Sequence, residues 1–184
     1  VNIQFTTEEP TGYREVIYLE NENNDFENYT VEKEKFAKSN ETVYMKDVSS
    51  LFPNYEVIPS KTSGVVTPEN DLLLFQRLRR LMYQITLIPN YTEEEKENDL
   101  GVDFLPIVLK HGLPISEPNA KPKNGYRFAW FEDEDYETEF IFDLMPAKDM
   151  ELYGKYVPEI YTITFNTNGG DEIKPLLIGY EEEI

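Results

Sequence analysis

Cysteine is absent from this chain of 184 residues, and histidine and tryptophan occur once each. Without cysteine the chain has no disulfide framework, zinc finger or thiol nucleophile. No apolar run approaches the length of about 18 residues that a membrane-spanning helix needs. The first residues, Val1–Phe5, carry no basic segment, so we expect no signal peptide here. These absences remove disulfide-bonded folds, thiol chemistry and membrane insertion from the candidates for this segment.

Basic side chains are also scarce, since 17 Lys and Arg stand against 36 Asp and Glu for a net charge of -19. Nucleic-acid binding and docking on anionic lipid both need clustered basic side chains, so neither is expected. Hydrophobic residues make up 40% of the chain and aromatic residues 14%. A disordered acidic tail lacks such aromatic content, so the sequence predicts a folded protein with an acidic surface.

Short alternating segments dominate the pattern, and twelve prolines limit long helices. Segments rich in β-branched and aromatic residues, bounded by Asn, Gly, Pro or Asp, predict strands at Val16–Leu19, Tyr55–Ile58, Tyr83–Leu87 and Tyr161–Phe165. The best helix candidate is Asp71–Met82, although its Leu72–Phe75 portion fits a buried strand equally well. Further short helices are predicted around Val43–Leu51 and Asp103–Lys110. The fold class is a β-rich α+β protein.

An internal repeat is the most informative feature. Tyr83–Leu87 (YQITL) recurs 78 residues later as Tyr161–Phe165 (YTITF). After each copy come a polar turn and a second apolar stretch, Phe104–Leu109 in the first copy and Ile173–Ile178 in the second. A unit of this size that recurs indicates an array of small domains.

Two further motifs bracket the first copy: Gly125–Phe131 (GYRFAWF) and Leu152–Tyr156 (LYGKY). With these motifs, Tyr83–Tyr156 resembles the Listeria–Bacteroides repeat, the B-repeat of internalin-type surface proteins. The opening of the next copy, Tyr161–Gly170 (YTITFNTNGG), is similar to the opening of the family repeat. The first copy departs from the family because the usual glycine before the tryptophan is missing or replaced by Ala129, and because the longer acidic loop Asn90–Asp103 stands in place of a Gly-Gly turn.

The preceding residues, about Arg14 to Leu81, resemble a mucin-binding-protein-like (MucBP-like) module. The resemblance rests on Val16–Glu20, Pro53–Val57 and Ser63–Phe75. Together the two resemblances imply tandem small β-grasp (ubiquitin-like) modules with one short helix each. They divide the chain into a MucBP-like module (1–81), a B-repeat (82–157) and the start of a further B-repeat (158–184). Two strands without a helix are marginal in water, so we expect residues 158–184 to pack on the preceding repeat, dimerise or fray.

For the central repeat the pattern predicts a four-stranded sheet with one helix across it. Side-chain alternation along the strands predicts that its buried face comprises Phe128, Trp130, Phe140, Phe142, Leu152 and Tyr156. Gly125 suits a turn position that needs positive φ. Asn168–Gly170 predicts a tight hairpin, because Asn-Gly favours the primed turns.

Two acidic runs are the candidate binding sites, Glu132–Glu139 and Glu93–Glu97. Ca²⁺ takes several carboxylate oxygens, but neither run has the spacing of a calcium loop, so solvated loops are the favoured interpretation. A partner or metal site remains the alternative, and its residues would be Glu132, Asp133, Glu134, Asp135, Glu93, Glu94 and Glu95. No cofactor is predicted, and the favoured interpretation includes no metal site.

Catalytic motifs are missing from the sequence. His111 is the only histidine, no Gly-x-Ser-x-Gly or His-Glu-x-x-His motif accompanies it, and we expect it in an exposed turn. Paired carboxylates for glycoside hydrolysis remain open among 36 acids. The basic pair Arg79 and Arg80 is expected to pair with neighbouring acids where the modules join. Exposed tyrosines are a candidate surface for stacking on sugars, with Tyr13, Tyr29, Tyr44 and Tyr91 as examples.

The resemblance implies a non-catalytic repeat segment of a bacterial cell-surface protein. We expect it to lie outside the cell, as part of a larger secreted or wall-anchored protein, and to act as a stalk or spacer with a possible adhesion role. One alternative is an adhesin module that binds a host glycan or surface protein. A second alternative is an accessory domain of an extracellular hydrolase. The expected partners are neighbouring repeats of the same chain and a host glycan or protein.

Overall fold

A computed structural model describes residues 9–29 and 33–183, with only the backbone of Lys33. It divides the chain into two compact units. Unit 1 comprises Val1–Met82 with Lys110–Leu113, and unit 2 comprises Tyr83–Leu109 with Pro114–Ile184. Strands prevail in both units, and the part of the chain that the structure describes contains a single α-helix, of five residues. The protein is therefore β-rich with very little helix, compatible with the predicted class.

Unit 1 is built on a five-stranded mixed sheet. The described part of the unit contains seven strands: β1 (Thr11–Glu20), β2 (Phe26–Asn28), β3 (Lys33–Ala37), β4 (Thr42–Tyr44), β5 (Tyr55–Lys61), β6 (Ser63–Val65) and β7 (Leu73–Arg80). Of these, β4 and β6 form a small separate pair, and the other five form the main sheet. The parallel pair β1 and β7 lies at the centre. β2 and β3 pair antiparallel with β1 on one side, and β5 pairs antiparallel with β7 on the other.

The helix predicted over Asp71–Met82 is wrong, and the alternative strand is what forms. In β7 the side chains of Leu74, Gln76 and Leu78 are buried while Arg77 and Arg79 are exposed. This period of two is that of a strand, and the buried position of β7 beside β1 accounts for its apolar content. The helix predicted around Val43–Leu51 is also wrong except for a three-residue 3₁₀ helix, Ser49–Leu51.

The core of unit 1 lies on one side of this sheet. Its buried members are Tyr13, Val43, Met45, Val66, Leu72 and Leu74, with Ile17 and Ala37 packed against them. Gln76 is buried beside this core, where its Nε2 donates to the Lys46 carbonyl at 2.6 Å and its Oε1 accepts from the Val48 amide at 3.2 Å. A buried amide satisfied in this way fastens the irregular chain after β4 to the sheet.

Unit 2 contains a four-stranded mixed sheet in the order β10-β11-β8-β9. Its elements are β8 (Met82–Pro89), α1 (Glu93–Glu97), β9 (Ile107–Lys110), β10 (Tyr126–Phe131), β11 (Met150–Pro158), β12 (Ile160–Ile163) and β13 (Leu176–Gly179). β8 and β11 are parallel and central, and β10 is antiparallel to β11. The helix predicted over Asp103–Lys110 is wrong, because its apolar half forms the edge strand β9 instead.

The predicted buried face of the repeat is confirmed. Trp130, Leu152 and Tyr156 are buried, and Phe128, Phe140 and Phe142 pack partly buried against the core. Phe140 and Phe142 lie outside any strand, yet their rings meet edge to face with centroids 5.0 Å apart. The remaining buried members of this core are Ile85, Leu87, Ile115 and Met145.

Both predicted turns adopt the expected backbone. Gly125 has φ +75°, in the turn before β10. Asn168 and Gly169 have φ of 47° and 97°, the signs that a type I′ turn needs at its two central positions. The predicted tight hairpin is wrong, however, because the strands do not reach this turn: β12 and β13 pair only from Ile163↔Leu176 to Ile160↔Gly179.

Candidate functional surface of the central repeat

The first acidic run, predicted as a loop, forms the helix α1 inside the Asn90–Asp103 stretch. Thr92 caps the helix: its Oγ1 accepts from the Glu95 amide at 3.2 Å, and Glu95 Oε2 accepts from the Thr92 amide at 2.9 Å. This reciprocal capping box satisfies backbone amides that the first helical turn leaves without partners. The sequence Thr92-Glu-Glu-Glu95 is the recognisable signal for it, so this helix could have been predicted.

Glu95 is a structural residue within this run. Only 5% of its surface is exposed, and its Oε1 accepts from Lys123 Nζ at 2.9 Å. Burial alone would raise the pKa of Glu95, but the hydrogen bonds from Lys123 and Thr92 outweigh burial and hold the pKa below its ordinary value. Both carboxylate oxygens are therefore engaged inside unit 2. The neighbouring Glu93 pairs with Lys96 at the surface, and Glu94 is exposed.

The second acidic run forms the turn that follows β10. Asp133 accepts from the amides of Glu137 and Thr138, each at 2.9 Å, and these hydrogen bonds, chiefly that from Glu137, lower its pKa. Tyr136 closes the turn with φ +61°, and Lys155 Nζ lies 3.9 Å from its ring centroid. Five carboxylates of this run are exposed, those of Glu132, Glu134, Asp135, Glu137 and Glu139, and of these Glu139 pairs with Arg127 at 2.6 Å.

A hydrogen bond connects the second acidic run to the chain just before the first. Asn90 Nδ2, just before α1, donates to Tyr136 Oη at 2.7 Å. The exposed carboxylates at the two ends of this contact form an anionic surface, but they do not converge. Within residues 9–29 and 33–183, no group of three or more His, Asp or Glu side chains is placed to hold a metal ion. This surface can repel anions or contact a cationic partner.

A groove in unit 1 was not predicted from the sequence. It has a volume of about 550 Å³, and its lining includes Ile17, Met45, Phe52 and Tyr29. At its polar side Glu15 Oε2 pairs with Lys35 Nζ at 2.6 Å, whereas the buried Glu15 Oε1 has no hydrogen-bond partner. The lining comes from β1, β3 and the chain before β5, so no local motif announces it.

The tyrosines proposed for sugar stacking separate into two groups. Tyr29 and Tyr44 are 59% and 73% exposed, as that hypothesis requires. Tyr13 and Tyr91 are buried in the cores of units 1 and 2, so their assignment to an exposed surface is wrong. Tyr13 lies in β1, where the alternation of the strand did not indicate which side faces the core, and Tyr91 lies in the connection between β8 and α1, where no period predicts burial.

The other residues singled out by the sequence have structural surroundings in unit 1. His111 lies in a turn but is only half-exposed, and its ring centroid lies 5.1 Å from that of Tyr55. Its pKa is lowered, chiefly by burial and to a smaller extent by the positive charge of Arg80. Arg79 pairs with Glu56 at 2.8 Å. Arg80 donates from its amide to Glu20 Oε2 at 3.0 Å. Arg79 thus forms the expected ion pair inside unit 1, whereas the Arg80 guanidinium donates to the carbonyls of Glu20 and His111.

Comparison with known proteins identifies a repeat in unit 2. The family model of the Listeria–Bacteroides repeat domain matches residues 97–155, from the end of α1 into β11. Internalin H of Listeria monocytogenes is 40% identical over 58 residues, which is 30% of this chain and 11% of that relative. The repeat predicted from the sequence is thereby confirmed for this segment.

Two proteins of Evansella cellulosilytica are also similar. One, described as a membrane protein, is 30% identical over 95 residues, or 48% of this chain and 14% of that protein. The other, described as a Gly-rich membrane protein, is 28% identical over 100 residues, or 50% of this chain and 11% of that protein. The chain thus spans only a small part of the curated relatives that it matches. In the described part of the chain, no helix has the length and apolar character to cross a membrane.

Proposed function

We propose that this chain is a non-catalytic segment of a bacterial cell-surface protein, in which small modules act as a stalk or spacer outside the cell. The observation that carries the proposal is the Listeria–Bacteroides repeat at residues 97–155. The similarity to internalin H and to two proteins described as membrane proteins supports the same location. On this proposal, neighbouring repeats of the same chain are the main partners.

We further propose that both units are β-grasp-like modules and that unit 1 is the MucBP-like one. Support comes from their common strand arrangement, in which the first and last strands of the main sheet are parallel central neighbours. In unit 1 the flanking strands are β2 with β3 on one side and β5 on the other; in unit 2 they are β9 and β10. The shared arrangement favours tandem modules of one type over two unrelated domains.

The state of the carboxylates also favours a passive role. The carboxylate oxygens of Glu95 accept hydrogen bonds from Lys123 and from the Thr92 amide of the capping box. Those of Asp133 accept from two amides of its own turn. In the part of the chain that the structure describes, the exposed acids of the two runs lie on α1 and on the turn after β10, and none of them lines the groove of unit 1; glycoside hydrolysis uses two carboxylates that flank the bound sugar. An accessory hydrolase role therefore has no specific observation behind it.

A spacer exchange tests the proposal in the parent protein. Residues 11–183 are replaced by an unrelated flexible spacer of similar reach, and surface display and adhesion of the cells are measured. If the segment is a spacer, both properties persist, because only length is required. Loss of adhesion with intact display would assign the segment a binding role instead.

The groove in unit 1 favours a second candidate function, the binding of a host glycan or protein. Exposed Tyr29 lies edge to face with Phe52, with ring centroids 5.0 Å apart, and the Glu15–Lys35 ion pair lies at the polar side of the groove. A sugar presents both an apolar face and hydroxyl donors, so such a groove suits it. A glycan array with the wild type and Tyr29→Ala tests this candidate, with the exposed Tyr44→Ala as the matched control. Binding that only Tyr29→Ala removes would support it.

A further inference from the structure

In each unit the first strand of the main sheet runs parallel to the last strand and lies next to it. We infer that these two ladders, β1–β7 in unit 1 and β8–β11 in unit 2, are mechanical clamps that resist tension along the chain. The inference deepens the proposed stalk role and rests on it for its biological meaning. Its physical content depends only on the strand arrangement.

The direction of force relative to the strands decides how a ladder breaks. Tension on the chain pulls the N-terminal end of the first strand and the C-terminal end of the last strand. In a parallel pair these two ends lie at opposite ends of the ladder, so the strands are sheared and all inter-strand hydrogen bonds are strained together. If the two strands were antiparallel, the pulled ends would coincide and the bonds would break one at a time.

In unit 1 additional hydrogen bonds extend the ladder at both ends. The paired register runs from Arg14↔Leu73 to Leu19↔Leu78. Before it, the Arg14 amide donates to the Leu72 carbonyl at 2.9 Å. Beyond it, the Arg80 amide donates to Glu20 Oε2 at 3.0 Å, and Arg80 Nε donates to the Glu20 carbonyl at 3.1 Å. The Glu20 carboxylate is buried, so water competes poorly for this bond.

Unit 2 repeats this arrangement with different residues. The register runs from Ile85↔Met150 to Pro89↔Gly154. At one end the Gln84 amide donates to Asp149 Oδ1 at 2.8 Å, and at the other the Asn90 amide donates to the Gly154 carbonyl at 2.6 Å. A carboxylate thus secures one end of each parallel ladder, Glu20 in unit 1 and Asp149 in unit 2.

Buried side chains shield both ladders from water. Val16 and Leu78 in unit 1 are fully buried, as are Ile85 and Leu152 in unit 2. Shearing a strand would drag these side chains past their neighbours before any hydrogen bond could be replaced by water. Resistance to force is a matter of the unfolding rate rather than of equilibrium stability, so contacts on the sheared ladder count more than others.

The pulling geometry gives the first test. The full chain has no cysteine, so introduced cysteines attach handles at chosen sites. Pulling from the termini in a single-molecule force experiment should give two major events, each releasing roughly 20–25 nm of chain for the residues a clamp encloses. Pulling through Asn124→Cys and Glu159→Cys opens the antiparallel β10–β11 pair from one end, near Tyr126↔Pro158. We expect unit 2 to need at least about twofold less force in this second geometry; equal forces would overturn the clamp.

Matched aspartate variants give the second test. Asp149 and Asp133 both accept backbone amides in unit 2, but only Asp149 lies at the end of the sheared ladder. At constant force from the termini, Asp149→Ala should raise the unfolding rate of unit 2 about tenfold, the size expected for one charge-assisted hydrogen bond. Asp133→Ala should change this rate less than about twofold, since its turn is not loaded.

Two internal controls accompany these variants. The unfolding rate of unit 1 should be unchanged in both, and Asp149→Asn should restore most of the resistance because its amide oxygen can still accept from Gln84. Equal effects of Asp149→Ala and Asp133→Ala would overturn the assignment of the clamp. The clamp and the spacer role can fail independently. If the ladders show little resistance to force but display and adhesion persist after the spacer exchange, the clamp alone is refuted. If the ladders resist force but adhesion is lost in the spacer exchange, the spacer role alone is refuted.

Discussion

At the scale of single residues, Glu95 has a role that its acidic surroundings conceal. It belongs to a run of four acids in five residues, yet its carboxylate is buried, caps α1 and pairs with Lys123. Its lowered pKa means that the folded state of unit 2 prefers the ionised form. This preference stabilises the fold above the ordinary carboxyl pKa of 4.5 and is lost as the pH falls through the folded-state value.

We therefore predict that Glu95→Gln lowers the free energy of unfolding by about 2 kcal/mol at pH 7, because Lys123 loses its charged partner. The same variant should show a shallower loss of stability in acid than the wild type. Urea titrations between pH 7 and pH 3 measure both effects. Glu94→Gln, on the exposed side of the same helix, is the matched control and should be nearly neutral; an equal loss in both would contradict the ion-pair explanation.

Gly154 illustrates a second residue-scale constraint, that of space. It lies in the middle of β11, where an added Cβ would stand 2.5 Å from Phe128 Cε1 and 2.8 Å from Trp130 Cζ3. Both rings belong to the packed core of unit 2, so neither can move without disturbing it.

Gly154→Ala should accordingly cost about 1–3 kcal/mol of stability, the range for overpacking a core. Thermal or urea unfolding of the full chain measures it. Gly101→Ala is the matched control, because its added Cβ would meet only Tyr91 Cδ2 at 3.9 Å, an ordinary contact. A neutral Gly154→Ala would mean that the rings have room that the structure does not show.

At the scale of elements, the sequence of β7 does not by itself distinguish a helix from a strand. Leu72–Phe75 is a short apolar run, and such a run fits a helix or a strand equally well. The alternation further along, with Gln76 and Leu78 inside and Arg77 and Arg79 outside, belongs to a strand. The segment forms a strand because it pairs with β1 on one side and β5 on the other. β1 in particular lies far away in the sequence.

The role of β7 as an anchor gives an element-scale prediction. Gln76→Leu keeps the volume but removes both hydrogen bonds to the chain after β4, leaving the Lys46 carbonyl and the Val48 amide without their partner. We expect a loss of about 1–3 kcal/mol and faster hydrogen exchange at the Val48 amide. Gln84→Leu, on the exposed side of β8, is the control and should have little effect. Slow exchange at Val48 in Gln76→Leu would contradict the anchor.

At the scale of the whole molecule, the net charge of -19 opposes self-association. This electrostatic repulsion matters most near β12 and β13, because the apolar side chains exposed there can drive association: Ile160, Tyr161, Leu176 and Leu177. This small sheet packs next to the Gly125 turn, since the Glu159 amide donates to the Gly125 carbonyl at 2.9 Å. Two strands with exposed apolar side chains are a site where further strands can add.

We predict that light scattering of the chain rises as the pH approaches the pI of about 4.3, because the net charge and its repulsion vanish there. Leu177→Asn should reduce this association by removing an apolar side chain that is 67% exposed on β13. Leu105→Asn, at an 86% exposed site before β9, is the matched control and should leave the association unchanged. Equal effects of the two variants would mean that β12 and β13 are not the contact surface.

The sequence by itself determined the features that depend on local chemistry. The acidic surface, the prevalence of strands, the repeat at Tyr83 and Tyr161, and the positive φ of Gly125 and Asn168 all follow from composition, short-range periodicity or turn geometry. Only the tertiary structure decided that Leu73–Arg80 is a central strand, that Glu95 is buried against Lys123, 28 residues away, and that each unit places its first and last strands in parallel. Strand pairing and burial join residues that are distant in the sequence, so no local pattern could specify them.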